Sequence, residues 1–374
     1  MKEINISQVD TLFVNGIYPI EFLFYFKQRL DTKNIRSALR KAASDFWPIF
    51  GEYADGIIHF DKYRQDECYQ EETFEKNFEI SETNEDLSAI RLEFGLPDLN
   101  GLFFLKIVHF NNGTVLIPKM NHLAADGYSY FYFISVLAAL STDRVIPAKS
   151  LLFRTLQKPH HRRTTLKEFF FSGFELESPP GNGPLAIETE EINKEAVRNI
   201  IKEVAATANQ RISTNDILSA MALKKVVSLQ TGHFEETIRL TIPIDVRSRI
   251  REYGPKFFGN GIMLFPIDFE KNKILNSNPE ELAVAIKKSM PSLSKERYIR
   301  YLKELEVLIA AKKTKFLKPF DPEKGCLVTN ISRLPADKLN FGGGLPDLIV
   351  PITAAKNSVG ILSHGDNFIL RFAY

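Results

Sequence analysis

One stretch of this sequence decides its fold: NHLAADG, at residues 121–127. It follows a strand-like run, Thr114–Met120, and precedes an apolar run, Tyr128–Leu140, which is too short to cross a membrane and predicts a buried helix. His122 therefore stands at a strand end, where a neutral imidazole can accept a proton at physiological pH. A histidine beside an apolar strand can also be a hydrogen-bonded core residue, so the stretch alone leaves both roles open.

The residues before this stretch predict a β-hairpin. Leu102–His109 and Thr114–Met120 are both strand-like, and the bridging residues 110–113 read FNNG, in which Asn-Gly favours a tight turn. Gly127 is expected to relieve the backbone where the strand gives way to the helix. A rigid hairpin that ends at His122 favours a functional site over a simple core position.

Composition narrows the class of protein. A chain of 374 residues exceeds what one core usually holds, so two domains are expected. The 48 basic and 46 acidic residues give a formal charge of +2, which calls for neither nucleic acid nor an anionic membrane. Cys68 and Cys326 form no ligand or disulfide pattern. Because the sequence shows no secretory signal and no apolar run of transmembrane length, we expect a cytoplasmic α/β protein. We also expect it to be a monomer.

The first half of the chain, residues 1–142, predicts one domain that carries the 121–127 stretch. Ile20–Phe26 is a buried strand by its apolar pattern, and apolar residues at helical spacing predict a helix over 32–50. The acidic residues between 66 and 85 are interpreted as a solvated surface stretch.

Residues 143–186 predict a linker that crosses between two domains. Prolines and turn residues interrupt every periodic pattern there. The paired histidines at 160–161 lie among prolines and basic residues without a second pair of ligands, so a solvated linker is favoured over a metal site.

The second half, residues 187–374, predicts a second domain that again combines strands with helices. Ser213–Asp216 has the pattern of a capping box and opens a helix that ends near Leu229. The other predicted elements are a helix over 194–207 and strands at 187–192, 237–244, 348–352, 358–363 and 367–373.

Several short motifs follow one another in an order and spacing typical of one enzyme family, and the chain resembles the BAHD acyltransferases. The stretch 121–127 matches the His-x-x-x-Asp block of that family. The other matching motifs are SQVD at 7–10, the strand and helix within 22–51, DVRSR at 245–249 with FFGN at 257–260, TNISRLP at 329–335 and NFGGG at 340–344. The resemblance implies an α/β (α+β) fold of two chloramphenicol-acetyltransferase-like domains, each a mixed β-sheet flanked by helices, with a central channel between them.

The resemblance also implies the chemistry. A hydroxyl or amine of a small acceptor attacks the thioester of an acyl-coenzyme A, which is a co-substrate and not a permanently bound cofactor. His122 is implied as the general base and Thr329 as a neighbour of the oxyanion, although Thr329 can equally be a strand-end hydroxyl bonded to the backbone. Asp126 is implied to pair with an arginine, for which Arg247 is the candidate, so that Asp126, Gly127 and Arg247 shape the site. A triad in which Asp126 orients His122 is the alternative.

Two further functions remain open. Condensation domains of peptide synthetases share the block as HHxxxDG and take their acyl group from a carrier protein, but residue 121 is Asn here and no carrier module accompanies the domain. A catalytically silent binding protein of the same fold is the other alternative. Asn340 and Gly343 replace the Asp and Trp of the last family motif, which favours a catalytically inactive protein. The intact 121–127 stretch favours an active enzyme. No metal is expected.

Overall fold

The computed structural model describes residues 1–5, 10, 19–54, 56–79, 101–144, 152–153, 175–176, 185–207, 210–230, 232, 234–248, 250, 257–290, 292–310, 317–318, 320–334, 336–352 and 354–374. Most of the predicted linker, including the histidine pair at 160–161, lies outside the described residues. The same holds for residues 7–9, 249 and 335 of the family-like motifs.

Strands and helices alternate through the described residues. The strands are β1 (Lys2–Asn5), β2 (Ile20–Phe26), β3 (Glu52–Ala54), β4 (Ile57–Phe60), β5 (Tyr69–Thr73), β6 (Phe103–Phe110), β7 (Gly113–Met120), β8 (Leu152–Phe153), β9 (Glu175–Leu176), β10 (Ile187–Asn193), β11 (Thr237–Asp245), β12 (Phe257–Phe258), β13 (Ile262–Glu270), β14 (Leu317–Lys318), β15 (Gly325–Asn330), β16 (Leu348–Pro351), β17 (Ser358–His364) and β18 (Asn367–Ala373). The α-helices are α1 (Thr32–Ala42), α2 (Gln65–Cys68), α3 (Gly127–Ser141), α4 (Lys194–Thr207), α5 (Thr214–Leu229), α6 (Lys271–Asn276), α7 (Pro279–Ser289) and α8 (Lys295–Ala310).

The 121–127 stretch connects strand β7 of the first sheet to helix α3. Its strand order is β16-β2-β7-β6-β5, and β6 and β7 pair antiparallel as the predicted hairpin. Gly113 is the first residue of β7 and not part of the turn; a Cβ there would lie 2.2 Å from the carbonyl oxygen of Phe26 on the neighbouring strand. One face of β2 packs with α1 and α3 in a common core, through Phe22 and Phe24.

The second sheet has two distinct faces. Its order is β10-β18-β17-β15-β11-β13, with parallel pairing among β11, β15 and β17 and antiparallel pairing elsewhere. On one face, Val359 and Phe372 pack in a core with α5 and α7. On the other face, Leu362 and Ile369 join the core of the first half. Because strand side chains alternate between faces, the second sheet presents every other residue towards the first half.

Most of the predicted elements are confirmed, with ends that differ by one or two residues. The helix starting after Ser213 has the predicted capping box, with reciprocal bonds between Ser213 and Asp216. The helix predicted over 32–50 is wrong in its second half. Helix α1 ends at Ala42, and a 3-10 turn over Trp47–Phe50 follows, because proline at position 48 lacks the N–H and the geometry to continue an α-helix.

The interpretation of the acidic stretch as solvated surface is wrong in part. Tyr69–Thr73 forms β5, which pairs parallel with β6. The carboxylate of Glu71 lies 3.1 Å from Nε2 of the buried His109, and that of Glu72 lies 3.1 Å from Nζ of the buried Lys106. Partners on the neighbouring strand thus draw part of this acidic run into the sheet.

Strand β16 connects the two halves more closely than the predicted domain order suggests. It belongs to residues 187–374 but pairs antiparallel with β2 of the first sheet. The division into 1–142, 143–186 and 187–374 stays a prediction, and the second unit contributes one strand to the sheet of the first.

Three negative features hold for the described part of the chain. No helix there is long and apolar enough to span a membrane. No group of three His, Cys, Asp or Glu side chains within these same ranges could hold a metal ion. Cys68 and Cys326 are both buried free thiols.

Candidate active site

His122 lies in the turn after β7, on the wall of a cavity, and is held by Asn260. Nδ1 of His122 is 2.9 Å from Oδ1 of Asn260. The fully buried Asn260 uses its Nδ2 to donate to the carbonyl oxygen of His122 at 2.8 Å and to Oδ1 of Asp10 at 2.9 Å. Since the amide N–H groups face these oxygens, the amide oxygen faces the ring, and Nδ1 of His122 is the donor. The neutral ring then carries its basic lone pair on Nε2.

The surroundings keep this imidazole neutral. Burial lowers the pKa of His122, whereas the negative charge of Asp126, the bond to Asn260 and the charge of Asp10 act in the opposite direction. The net effect places the pKa of His122 below its usual value. At physiological pH the ring is therefore able to accept a proton.

Asp126 and Arg247 form a buried bidentate ion pair. Nη1 of Arg247 donates to Oδ2 of Asp126 at 2.7 Å, and Nη2 donates to Oδ1 at 3.0 Å. Nη2 also donates to the hydroxyl of Ser129 and to the carbonyl oxygen of Gly259, both at 2.9 Å. The structure brings the two side chains together as the resemblance implied, and both oxygens of the carboxylate are engaged by the guanidinium.

The same carboxylate starts helix α3. Asp126 is its N-cap and accepts the backbone N–H of Ser129 at 2.9 Å, and it also accepts the backbone N–H of Gly261 at 2.9 Å. Burial alone would raise the pKa of Asp126, but the charge of Arg247 and these N–H donors hold that pKa below its usual value. The ionised carboxylate thus ties the His122 loop to the segment after β12.

Gly127 does not play the backbone role expected of it. Positive φ values occur at other glycines, such as Gly259 and Gly342, but not at Gly127, which is simply the first residue of α3. A Cβ at Gly127 would lie 3.4 Å from Cδ1 of Leu334, an ordinary contact distance. Gly127 lines the cavity beside His122.

The cavity beside His122 has a volume of about 320 Å³ and is lined by both sheets. Phe22 of β2 contributes from the first sheet, and Leu264 of β13 contributes from the second. Thr329 on β15 lines the same cavity, so the structure brings the two predicted catalytic residues to one cavity. Most lining side chains are apolar, which strengthens electrostatic interactions inside the cavity.

The NFGGG motif lies outside this cavity, because none of residues 340–344 lines it. Phe341 is buried against Phe26, with ring centroids 6.0 Å apart. Oδ1 of Asn340 accepts the backbone N–H of Gly342 at 2.8 Å, and its carbonyl oxygen accepts Nη2 of Arg144 at 2.6 Å. The motif forms a turn anchored in the core of the first half.

Two residues of the site were not identified as functional from the sequence. Asn260 contacts His122 directly, and Asp10 contacts Asn260 across 250 positions of the chain. Each stands at the end of a family-like motif, FFGN and SQVD, and that position was the signal that could have marked them.

Comparison with solved structures shows the fold. TRI101 of F. graminearum, solved in complex with coenzyme A and T-2 mycotoxin, superposes with a TM-score of 0.75 at 10% identity, covering 100% of this chain and 95% of that chain. The chain therefore has the fold of that structure, with mixed sheets flanked by helices.

Sequence comparison defines the family. The family model described as Transferase family matches residues 93–366. Piperamide synthase of Piper nigrum is 20% identical over 275 residues, which is 71% of this chain and 57% of that protein. Anthranilate N-benzoyltransferase protein 2 of Dianthus caryophyllus is 22% identical over 364 residues, which is 89% of this chain and 78% of that protein. The chain belongs to the Transferase family, the BAHD acyltransferases.

Proposed function

We propose that this protein transfers an acyl group from an acyl-coenzyme A to a hydroxyl or amine of a small acceptor, with His122 as the general base. The observation that carries the proposal is that His122, on the cavity wall, donates a hydrogen bond from Nδ1 to the buried Asn260. It supports a tautomer whose basic nitrogen is Nε2. Coenzyme A in the TRI101 structure and the benzoyl transfer to nitrogen named for the Dianthus relative agree with this reaction class.

The reaction then proceeds in two proton-coupled steps. Nε2 of His122 takes the proton of the acceptor as its oxygen or nitrogen bonds to the thioester carbonyl carbon. The tetrahedral intermediate collapses by breaking the carbon–sulfur bond, and the proton on Nε2 passes to the departing coenzyme A sulfur. In this role Asn260 is a positioning residue, because it orients the ring and sets the tautomer without touching the reacting atoms.

The other predicted site residues receive distinct roles in the proposal. Thr329 donates its hydroxyl hydrogen to the oxyanion of the intermediate, which its place on the cavity wall supports. Asp126 and Arg247 hold the shape of the His122 loop through their ion pair. Gly127 leaves space for substrate at the start of α3. Residues 1–142 and 187–374 act as two units around the cavity, joined by 143–186, in a cytoplasmic monomer without a permanently bound cofactor.

A panel assay tests the proposal. Purified protein is mixed with acetyl-, malonyl-, benzoyl- and long-chain acyl-coenzyme A and with a set of alcohols and amines, and free thiol is measured. We expect thiol release that depends on the acceptor and a product that carries the acyl group. Transfer only from an acylated carrier protein would replace this function with the condensation-type reaction. Tight binding of acceptor or acyl-coenzyme A without any transfer would show a silent binding protein.

A further inference from the structure

We propose that the cavity binds a carboxylate of one of the two co-substrates through the guanidinium of Arg371. The proposal rests on the proposed function, because it assigns a substrate class to the same cavity. Arg371 lies on β18, is 7% exposed and lines the cavity together with His122 and Thr329. None of the family-like motifs contains it.

The pairing of three neighbouring strands explains how Arg371 reaches the cavity. Thr329 on β15 is the register partner of Gly360 on β17, and Gly360 is the partner of Arg371 on β18. Register partners point to the same face of a sheet, so the three residues form one row. The neighbours of Arg371 in β18, Leu370 and Phe372, belong to the core on the opposite face. The row therefore faces the first half and the cavity.

Gly360 leaves a gap in the middle of this row. A Cβ built on Gly360 meets no atom within 4 Å, so the space above it is open. That gap separates the hydroxyl of Thr329, the proposed oxyanion donor, from the guanidinium of Arg371. A substrate whose reacting carbonyl lies at Thr329 can thus extend a second polar group over Gly360 towards Arg371.

Two arginines, Arg247 and Arg371, line the cavity. Arg247 holds Asp126 at 2.7 Å and 3.0 Å and so shapes the His122 loop, whereas the strand row from Thr329 over Gly360 ends at Arg371, which makes Arg371 the anion-binding candidate. Glu21 on the facing wall has its charge offset by Lys119 at 3.1 Å. A guanidinium presents N–H donors in a fork that matches a carboxylate, and an apolar surrounding strengthens that bond.

The carboxylate can belong to the acyl group or to the acceptor, and binding measurements with matched pairs separate the two. Succinyl-coenzyme A is compared with 4-methylpentanoyl-coenzyme A, which has the same shape without the charge. In the second arm, 3-hydroxybenzoate and 3-aminobenzoate are compared with their carboxamides in the presence of coenzyme A. Calorimetry on the full chain reports dissociation constants without requiring turnover, so a protein that fails to transfer still tests this proposal.

We expect the acid to bind better than its neutral partner in one arm, and Arg371→Gln to reduce that preference by about 10- to 100-fold, the range for a hydrogen bond to a charged group. Arg371→Lys should keep part of the preference. The matched control is Arg239→Gln, an arginine of the same sheet that pairs with Asp268 outside the cavity. The Arg239→Gln variant should prefer the acid over its neutral partner to the same extent as the unmodified protein.

A second variant tests the row without removing the cation. Gly360→Asp places a carboxylate opposite Arg371 in open space, where an opposite-charge pair across strands is favourable. It should abolish the preference for acids and unfold at a higher temperature than Gly360→Asn. The proposal is overturned if neither arm prefers the acid, if the preference survives Arg371→Gln, or if Gly360→Asp keeps it. Loss of acyl transfer with an intact preference would instead count against the proposed function alone.

Discussion

The ion pair between Asp126 and Arg247 predicts a large and coupled effect on stability. Asp126→Ala leaves the buried guanidinium with the half-exposed Asp245, 3.2 Å from Nη1, in place of its buried bidentate partner, and Arg247→Ala leaves the Asp126 carboxylate buried without its cation. Removal of one partner of a buried pair costs about 3–5 kcal/mol of the free energy of unfolding. Asp126→Ala also removes the N-cap of α3, which adds about 1 kcal/mol.

The double variant should be much less damaged than the sum of the two single variants. Once one charge is gone, removal of the other no longer leaves an uncompensated buried ion, so we expect a coupling energy of about 2–3 kcal/mol. Urea unfolding at pH 7 gives the free energy of unfolding of the unmodified protein, the two single variants and the double variant. The pKa of Asp126 is depressed in the folded state, so its contribution is complete above its unfolded pKa of about 3.9 and is lost as the pH falls through the lower folded value.

The exposed pair of Arg239 and Asp268 is the matched control for this cycle. Its side chains are 29% and 48% exposed, and the Nε–Oδ1 distance is 2.8 Å. Exposed pairs contribute about 0–1 kcal/mol, so both alanine variants there should have small and nearly additive effects. Additive losses at Asp126 and Arg247, or a loss below about 1 kcal/mol for either single variant, would refute the account of the pair as a buried structural bridge.

Three further predictions follow from the described contacts. Gly261→Ala should destabilise the fold by about 1–3 kcal/mol in urea unfolding, since its Cβ would lie 2.7 Å from Cζ of Arg247; an unchanged midpoint would show that the guanidinium can move aside. Asn340→Asp keeps an acceptor for its turn and adds attraction to Arg144, so it should raise stability by up to about 1 kcal/mol and leave kcat unchanged; a large fall in kcat at constant Tm would place the motif in the reaction. Because the pKa of His122 lies below its usual value of about 6.5, kcat/KM should be flat above pH 7 and fall only as acid protonates the ring; a fall centred well above pH 7 would contradict this.

Local patterns in the sequence predicted the parts of the site that are close in the chain. The hairpin, the strand end at His122 and the start of α3 follow from alternation and helical spacing over a few residues. The pairing of Asp126 with Arg247 joins residues 121 positions apart, and only the resemblance to a family suggested it.

Contacts between residues far apart in the chain determine the features that the local sequence pattern did not predict. No periodicity marks Asn260 as the partner of His122, since the two are 138 positions apart and meet only when β12 packs beside the loop. Strand β16 pairs with the first sheet, although its sequence reads like any other short strand of the second half. The acidic Glu71 can lie within a strand of the sheet, because its carboxylate is paired with His109 on the neighbouring strand β6.

The most direct test of the account is the rate of acceptor-dependent thiol release by His122→Ala, measured beside the unmodified protein at saturating acyl-coenzyme A. A positioned base contributes about 10²- to 10⁴-fold, so we expect a loss of that size in a variant that still folds. Asn260→Ala should lose less, because the ring keeps its basic nitrogen but not its fixed orientation. Transfer by His122→Ala within about threefold of the unmodified protein would contradict the assignment of His122 as the base.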